Sequence, residues 1–98
     1  MSAGPQGKEL MELLLGSETK GELLMLFHRN PGIVDSMEGV ARRIGRRVDQ
    51  IESDVRDFVE LGLLRKTSAG KIELLAFRED RDREIQASMT NYIRGAVQ

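Results

Sequence analysis

Apolar positions in this chain recur at helical period, most clearly between Ala41 and Leu64. Val48, Ile51, Val55, Phe58 and Val59 follow at offsets of three, four, three and one, which places them on one stripe of a single helix. The other face of that helix carries Asp49, Gln50, Ser53, Arg56, Asp57 and Glu60. Gly45 marks a turn before it. Gly62 closes it, because a glycine just past a helix end can take the left-handed conformation while the flanking leucines fold onto the core. A shorter helix precedes the turn: Asp35, with Glu38 three residues on, is predicted to cap it, and Met37, Val40, Ala41 and Ile44 form its inner face. The small Ala41 lets the two helices approach closely.

Upstream, Thr19 and Glu22 have the spacing of a capping box, and the run from Leu23 to Phe27 predicts a helix buried on most sides. Asn30-Pro31-Gly32 ends it, and Ile33 and Val34 read as a short extended link, a candidate first strand of a small sheet. Lys8 to Leu15 predicts a further short helix. Its crowd of Leu10, Met11, Leu13, Leu14 and Leu15 must be buried, against this domain or a second copy. Downstream, Arg65–Thr67 and Lys71–Leu75 flank the polar turn Ser68-Ala69-Gly70, which predicts a hairpin. From Glu79 a charged helix follows, with acids in its first turn and an apolar stripe of Ile85, Met89, Tyr92, Ile93, Ala96 and Val97.

This order resembles the winged helix-turn-helix domains of transcriptional regulators. The resemblance spans roughly Thr19 to Phe77 and rests on three features: the helix end at Ala41, Ile44 and Gly45, the stripe Val48, Ile51 and Val55, and the phrase Glu60-Leu61-Gly62-Leu63-Leu64. With the added terminal helices, the layout is similar to the arsenic-type and multiple-antibiotic-resistance-type repressors. It implies a mainly α fold with a small β-hairpin, and one domain over residues 1–98. Residues 1–7 would form a flexible tail, 8–15 an N-terminal helix, 19–77 the winged helix core and 79–97 a C-terminal dimerisation helix. The recognition helix, about residues 48–61, would enter the major groove of DNA, with the hairpin 64–76 as wing. On that resemblance Gln50 and Ser53 would read base edges, Gln50 suiting adenine through its paired donor and acceptor. Arg42, Arg43, Arg46, Arg47, Arg56, Lys66 and Lys71, with Arg65 on the wing, would meet DNA. A two-fold homodimer would form through Leu10, Leu14, Ile85, Met89, Tyr92, Ile93 and Val97.

Composition narrows the alternatives. Ninety-eight residues, 40% hydrophobic and 32% charged, suit one small folded domain. No apolar run is long enough to span a membrane, and the first seven residues lack the pattern of a secretory signal, so a cytoplasmic protein is expected. Without cysteine there is neither disulfide nor thiolate metal site, and the single histidine, His28, reads as a partly buried or surface residue at a helix end. The arsenic-type repressors sense metals through cysteines of the recognition helix or through histidine and acidic pairs on the last helix. This chain has no Cys and no His after residue 28, so no metal or other cofactor is expected. A small-molecule effector is implied by the antibiotic-resistance-type layout, but no residue identifies one. Neither HExxH nor a phosphate-cradling glycine pattern is present, and the carboxylates lie along helical faces, so an enzyme is not expected.

Charge weighs against DNA. The net charge is -1, and from Val48 to Leu61 five acidic residues stand against the single Arg56. Carboxylates near phosphates repel. The arginines from Arg42 to Arg47 also have a plainer reading, a solvated helix end paired with the acids that follow. The alternative function is therefore a winged helix that binds a protein partner without DNA.

Overall fold

The computed structural model describes residues 8–96. The expected tail 1–7 and the contact residue Val97 lie outside the described residues. The elements run α1 (Lys8–Leu15), α2 (Glu18–Arg29), β1 (Val34–Ser36), α3 (Met37–Arg43), α4 (Val48–Glu60), β2 (Leu64–Ala69), β3 (Ile72–Phe77) and α5 (Glu79–Ala96). Five helices and a three-stranded antiparallel sheet of order β1-β3-β2 make a winged helix fold. The apolar stripe of α4 is buried as its period requires: Ile51, Val55 and Phe58 are at most 1% exposed. They join Leu23 and Phe27 of α2, Val40 and Ala41 of α3, and Leu64 and Leu75 of the sheet in one core.

Both helices of the central pair end in the same way. Gly45 (φ 70°) follows α3, with its N–H donating to Arg42 O and the Arg46 N–H to Ala41 O; Gly62 (φ 78°) follows α4, with its N–H donating to Val59 O and the Leu63 N–H to Phe58 O. These paired bonds are the Schellman arrangement, which satisfies carbonyls left open at a helix end. It turns the chain into α4 in one case and into the hairpin in the other.

Several local expectations are corrected. The N-cap of α2 is Ser17, not Thr19: the Ser17 hydroxyl accepts from the Lys20 N–H at 3.0 Å and donates to Asp54 Oδ2 at 2.9 Å. That second bond ties the cap to α4, a reason invisible in local spacing. Glu22 does not reach back to a cap because Arg46 holds it. The N-cap of α3 is Ser36, whose hydroxyl accepts from the Gly39 N–H, while Asp35 pairs with Leu75 across the sheet and its carboxylate accepts from the Ser36 N–H and Arg43 Nε. The first strand exists as expected but is shifted, running Val34–Ser36 with Ile33 just before it. The hairpin turn is Gly70-Lys71, since Ala69 pairs with Ile72 and Gly70 alone has positive φ (65°), the II′ form of a two-residue turn.

The first turns of α5 are fastened to the body. Arg81 Nε donates to Leu61 O at 2.7 Å, Asp82 Oδ1 shares a 2.9 Å hydrogen bond with His28 Nε2, and His28 stands edge-on to Phe77. Ile85 is buried and Met89 half-buried, but residues 90–95 are all exposed. The dimer-contact expectation is corrected in part. Leu10, Leu14 and Ile85 lie in the chain's own core, leaving Tyr92 (40% exposed) and Ile93 (48%) as free apolar side chains of α5.

Gly21 and Gly45 separate two effects. Gly21 lies inside α2 with open space where a Cβ would go, so Gly21→Ala should stabilise the fold by about 0.5–1 kcal/mol. Gly45→Ala meets equally open space but a left-handed backbone, and should destabilise by about 1–2 kcal/mol. Urea denaturation midpoints moving in the same direction for both would refute this account of the turn.

Candidate nucleic-acid interface

The outward side of α4 differs from what its sequence suggests. Lys20 of α2, 6% exposed, places Nζ 2.7 Å from Asp57 Oδ2 and 4.0 Å from Asp54 Oδ1, and Ser17 holds the other oxygen of Asp54. Two of the helix's acids are thus turned toward α2, where one lysine and one hydroxyl hold them. A third, Asp49, is bound by the Arg47 guanidinium at 3.0 and 3.4 Å, and this hydrogen bond holds its carboxyl below the ordinary value. Glu52 and Glu60 stay exposed, beside Gln50, Ser53 and Arg56.

The basic residues divide by whether a partner holds them. Arg46 is a strut: its guanidinium grips both oxygens of Glu22 at 2.9 and 3.0 Å, lies 3.5 Å from Glu18, and is 27% exposed. The hydrogen bond keeps Glu22 below, and Arg46 above, their ordinary pKa values. Arg43 binds Asp35, whose carboxyl is lowered first by the Ser36 N–H and then by Arg43. Arg47 and Asp49 are both well exposed, so their pair is open to exchange with solvent or an anion. Arg42 and Arg56 are exposed and make no ion pair among the described residues.

On the hairpin, successive residues face opposite sides of the sheet. Lys66 lies on the side of buried Leu64 and Leu75, 3.8 Å from Glu73, whereas Arg65 occupies the other face opposite Ala76. Lys71 stands at the turn, exposed. Arg42, Arg43, Arg46 and Arg47 therefore flank the start of α4, and the hairpin cations belong to a separate projection.

Gln50, expected to face outward, is exposed and also makes a contact with the start of its own helix. Its Oε1 accepts from the backbone N–H of Arg47 at 2.8 Å, which ties down the first turn of α4 and leaves one lone pair of that oxygen and the exposed Nε2 without a partner among the described residues. Ser53 is exposed as expected. The residues that sequence reasoning missed are Ser17 and Lys20. Each lies 37 positions from its partner on α4, and nothing in the local pattern announces the contact. Among the described residues no three His, Asp or Glu side chains gather as a metal site, and no helix is long and apolar enough to cross a membrane.

No family model matches the sequence, and no curated protein matches it significantly. Among solved structures the chain is similar to AntR, an antimony-specific transcriptional repressor, with a TM-score of 0.59 and 16% identity over 91% of this chain and 78% of that one. At that identity the likeness is one of fold, and it agrees with the winged helix architecture described above.

Two substitutions probe the polar contacts of α2. Lys20→Met strands two carboxylates at a half-buried interface and should cost about 1–3 kcal/mol, much of it recovered when Asp57→Asn is added. Equal midpoints for Lys20→Met and wild type would show the lysine to be dispensable. For Glu22 the sign follows from its lowered pKa: the contribution is present at neutral pH and lost as pH falls into and below the ordinary glutamate range of about 4.3. Arg46→Met should narrow the stability gap to wild type as denaturation curves are taken from pH 7 toward pH 3. A gap that is constant with pH would exclude this ion pair as its source.

Proposed function

We propose that this protein is a sequence-specific DNA-binding transcriptional regulator acting as a homodimer. The observation that carries the reading is the turning of Asp54 and Asp57 toward Ser17 and Lys20, whose single positive charge offsets one of the five negative charges that argued against a DNA-facing α4. In this reading the first half of α4 enters the major groove, with Ser53, Gln50 and Arg56 toward the base edges. Arg42, Arg43 and Arg47 contact phosphate beside the groove, Arg46 fixes the turn that presents them, and Arg65, Lys66 and Lys71 follow the backbone from the hairpin. The exposed end of α5, with Tyr92 and Ile93, pairs with its twin across a two-fold axis, next to the half-buried Met89. Two α4 helices would then meet half-sites about 34 Å apart.

The fold neighbour's antimony specificity is not carried over. This chain has no cysteine, and thiolate sulfur is the ligand that soft elements favour. A second reading is favoured by the exposed Glu52 and Glu60: a winged helix that docks a basic protein surface.

Salt separates the two. Log affinity for duplex DNA should fall with log salt by about 0.9 per phosphate neutralised. Arg42→Ala with Lys71→Ala should weaken binding to every sequence alike and lower that slope by roughly 2 per protomer. A variant with wild-type affinity and slope would remove these residues from the interface. For the dimer, Tyr92→Glu with Ile93→Glu should yield a folded monomer by sedimentation; wild-type protein that is itself monomeric at micromolar concentration would exclude the paired arrangement.

A further inference from the structure

We infer that the outer face of the three-stranded sheet is a docking surface for an acidic amphipathic helix of a protein partner. The inference goes beyond the DNA-binding reading and stands without it. An antiparallel sheet with one face on the core and the other in solvent ordinarily alternates apolar residues inward with polar residues outward. In β3 the order is reversed. Leu75 and Phe77 lie on the core side with Glu73, which is 3.8 Å from Lys66, so Ile72, Leu74 and Ala76 take the opposite face. The register sets Val34 of β1 beside Ala76, and Ala69 of β2 beside Ile72, on that same face. Val34 is 59% and Ile72 57% exposed, more than any other large apolar residue described. Leu74 is half-buried, yet it does not pack on the core. Apolar side chains gathered on one face in this way, rather than scattered singly, mark a contact site.

Charge selects the occupant. The strands place no carboxylate on this face: its polar positions are Ser36, Thr67 and Arg65, and Lys71 stands at the hairpin turn beyond Ile72. Arg65 and Lys71 are exposed and make no ion pair among the described residues. The hollow at the Arg65 end also holds Glu79 and Asp80, but Asp80 is taken by Arg78 at 3.1 Å and neither acid pairs with Arg65. An apolar strip thus runs between two free cations. From Ile72 to Ala76 it extends about 14 Å at the strand rise, which a helix covers in about nine residues. Packing a helix on a sheet is also the ordinary way to cover an apolar sheet face. The matching segment carries apolar residues three and four apart, with Asp or Glu at both ends. A second copy of the sheet fits less well, because self-pairing brings further cations and no carboxylate. A stable interface also engages about 20–30 residues a side, far more than these three short strands present. Where DNA is bound as well, the partner takes Arg65 and Lys71 from the phosphates.

The test presents a display library of randomised short peptides to the full chain and to two variants, Ile72→Thr with Leu74→Thr and Arg65→Glu with Lys71→Glu. Threonine keeps the strand preference of the sites it replaces, so the first variant should fold, as its denaturation curve will show. Wild type should enrich peptides of net negative charge whose apolar residues recur at helical spacing. Binding of those peptides, followed by fluorescence anisotropy, should weaken roughly tenfold or more in the threonine variant. The charge-reversed variant should lose them and enrich basic peptides in their place. No enrichment by wild type, enrichment of neutral or basic peptides, or equal binding by wild type and the threonine variant would overturn the inference. Sedimentation supplies the remaining outcome: a wild-type dimer that the threonine variant converts to monomer would assign the face to a second copy and exclude the acidic partner. None of these results depends on whether the protein binds DNA.

Discussion

A lysine with almost no solvent contact holds the orientation of α4. Burying an ammonium group is costly unless opposite charge and hydrogen bonds compensate it, and Lys20 finds both in Asp57 and Asp54. An apolar stripe fixes the roll of a helix only to within the width of the stripe. A charge pair with a 2.7 Å contact fixes it much more narrowly. The packing of Ile51, Val55 and Phe58 thus decides that α4 is buried on one side, while Lys20 decides which polar residues are left on the other.

The first half of α2 serves as a frame for the whole candidate interface. Ser17 and Lys20 hold α4, and Glu22 holds Arg46 in the turn between α3 and α4. The α3 end of the turn is closed by backbone bonds that Gly45 permits, and the α4 end by the Arg47 N–H donating to Gln50 Oε1. Helix-turn-helix geometry here is consequently referred to one neighbouring helix on each side of the turn, rather than left to the short α3 alone. The same contacts tie down charges of both signs at the surface: two acids on α4 and one arginine in the turn.

Net charge is therefore a poor guide to this surface. A near-neutral chain carries its acids and bases unevenly, with compensation inside the α2–α4 contact and uncompensated cations at Arg42, Arg56 and Lys71 among the described residues. The far half of α5 is the complementary case. Its first turns are fastened through Arg81, Asp82 and Ile85, and its exposed Tyr92 and Ile93 extend beyond the core.

Much of the architecture was legible in the amino-acid order. Helical period marked α4, the two glycines marked its approach and its end, and the polar stretch Ser68-Ala69-Gly70 marked the hairpin, because backbone geometry and apolar burial act over neighbouring residues. The caps at Ser17 and Ser36 were misassigned by one or two positions, since several polar residues in a row could each have served. Tertiary structure alone decided that Leu10, Leu14 and Ile85 belong to the inside of this chain, that Arg46 is a strut, and that Asp54 and Asp57 face α2. These depend on which helix lies alongside which. An ion pair between residues 37 apart leaves no periodic trace for a local pattern to reveal.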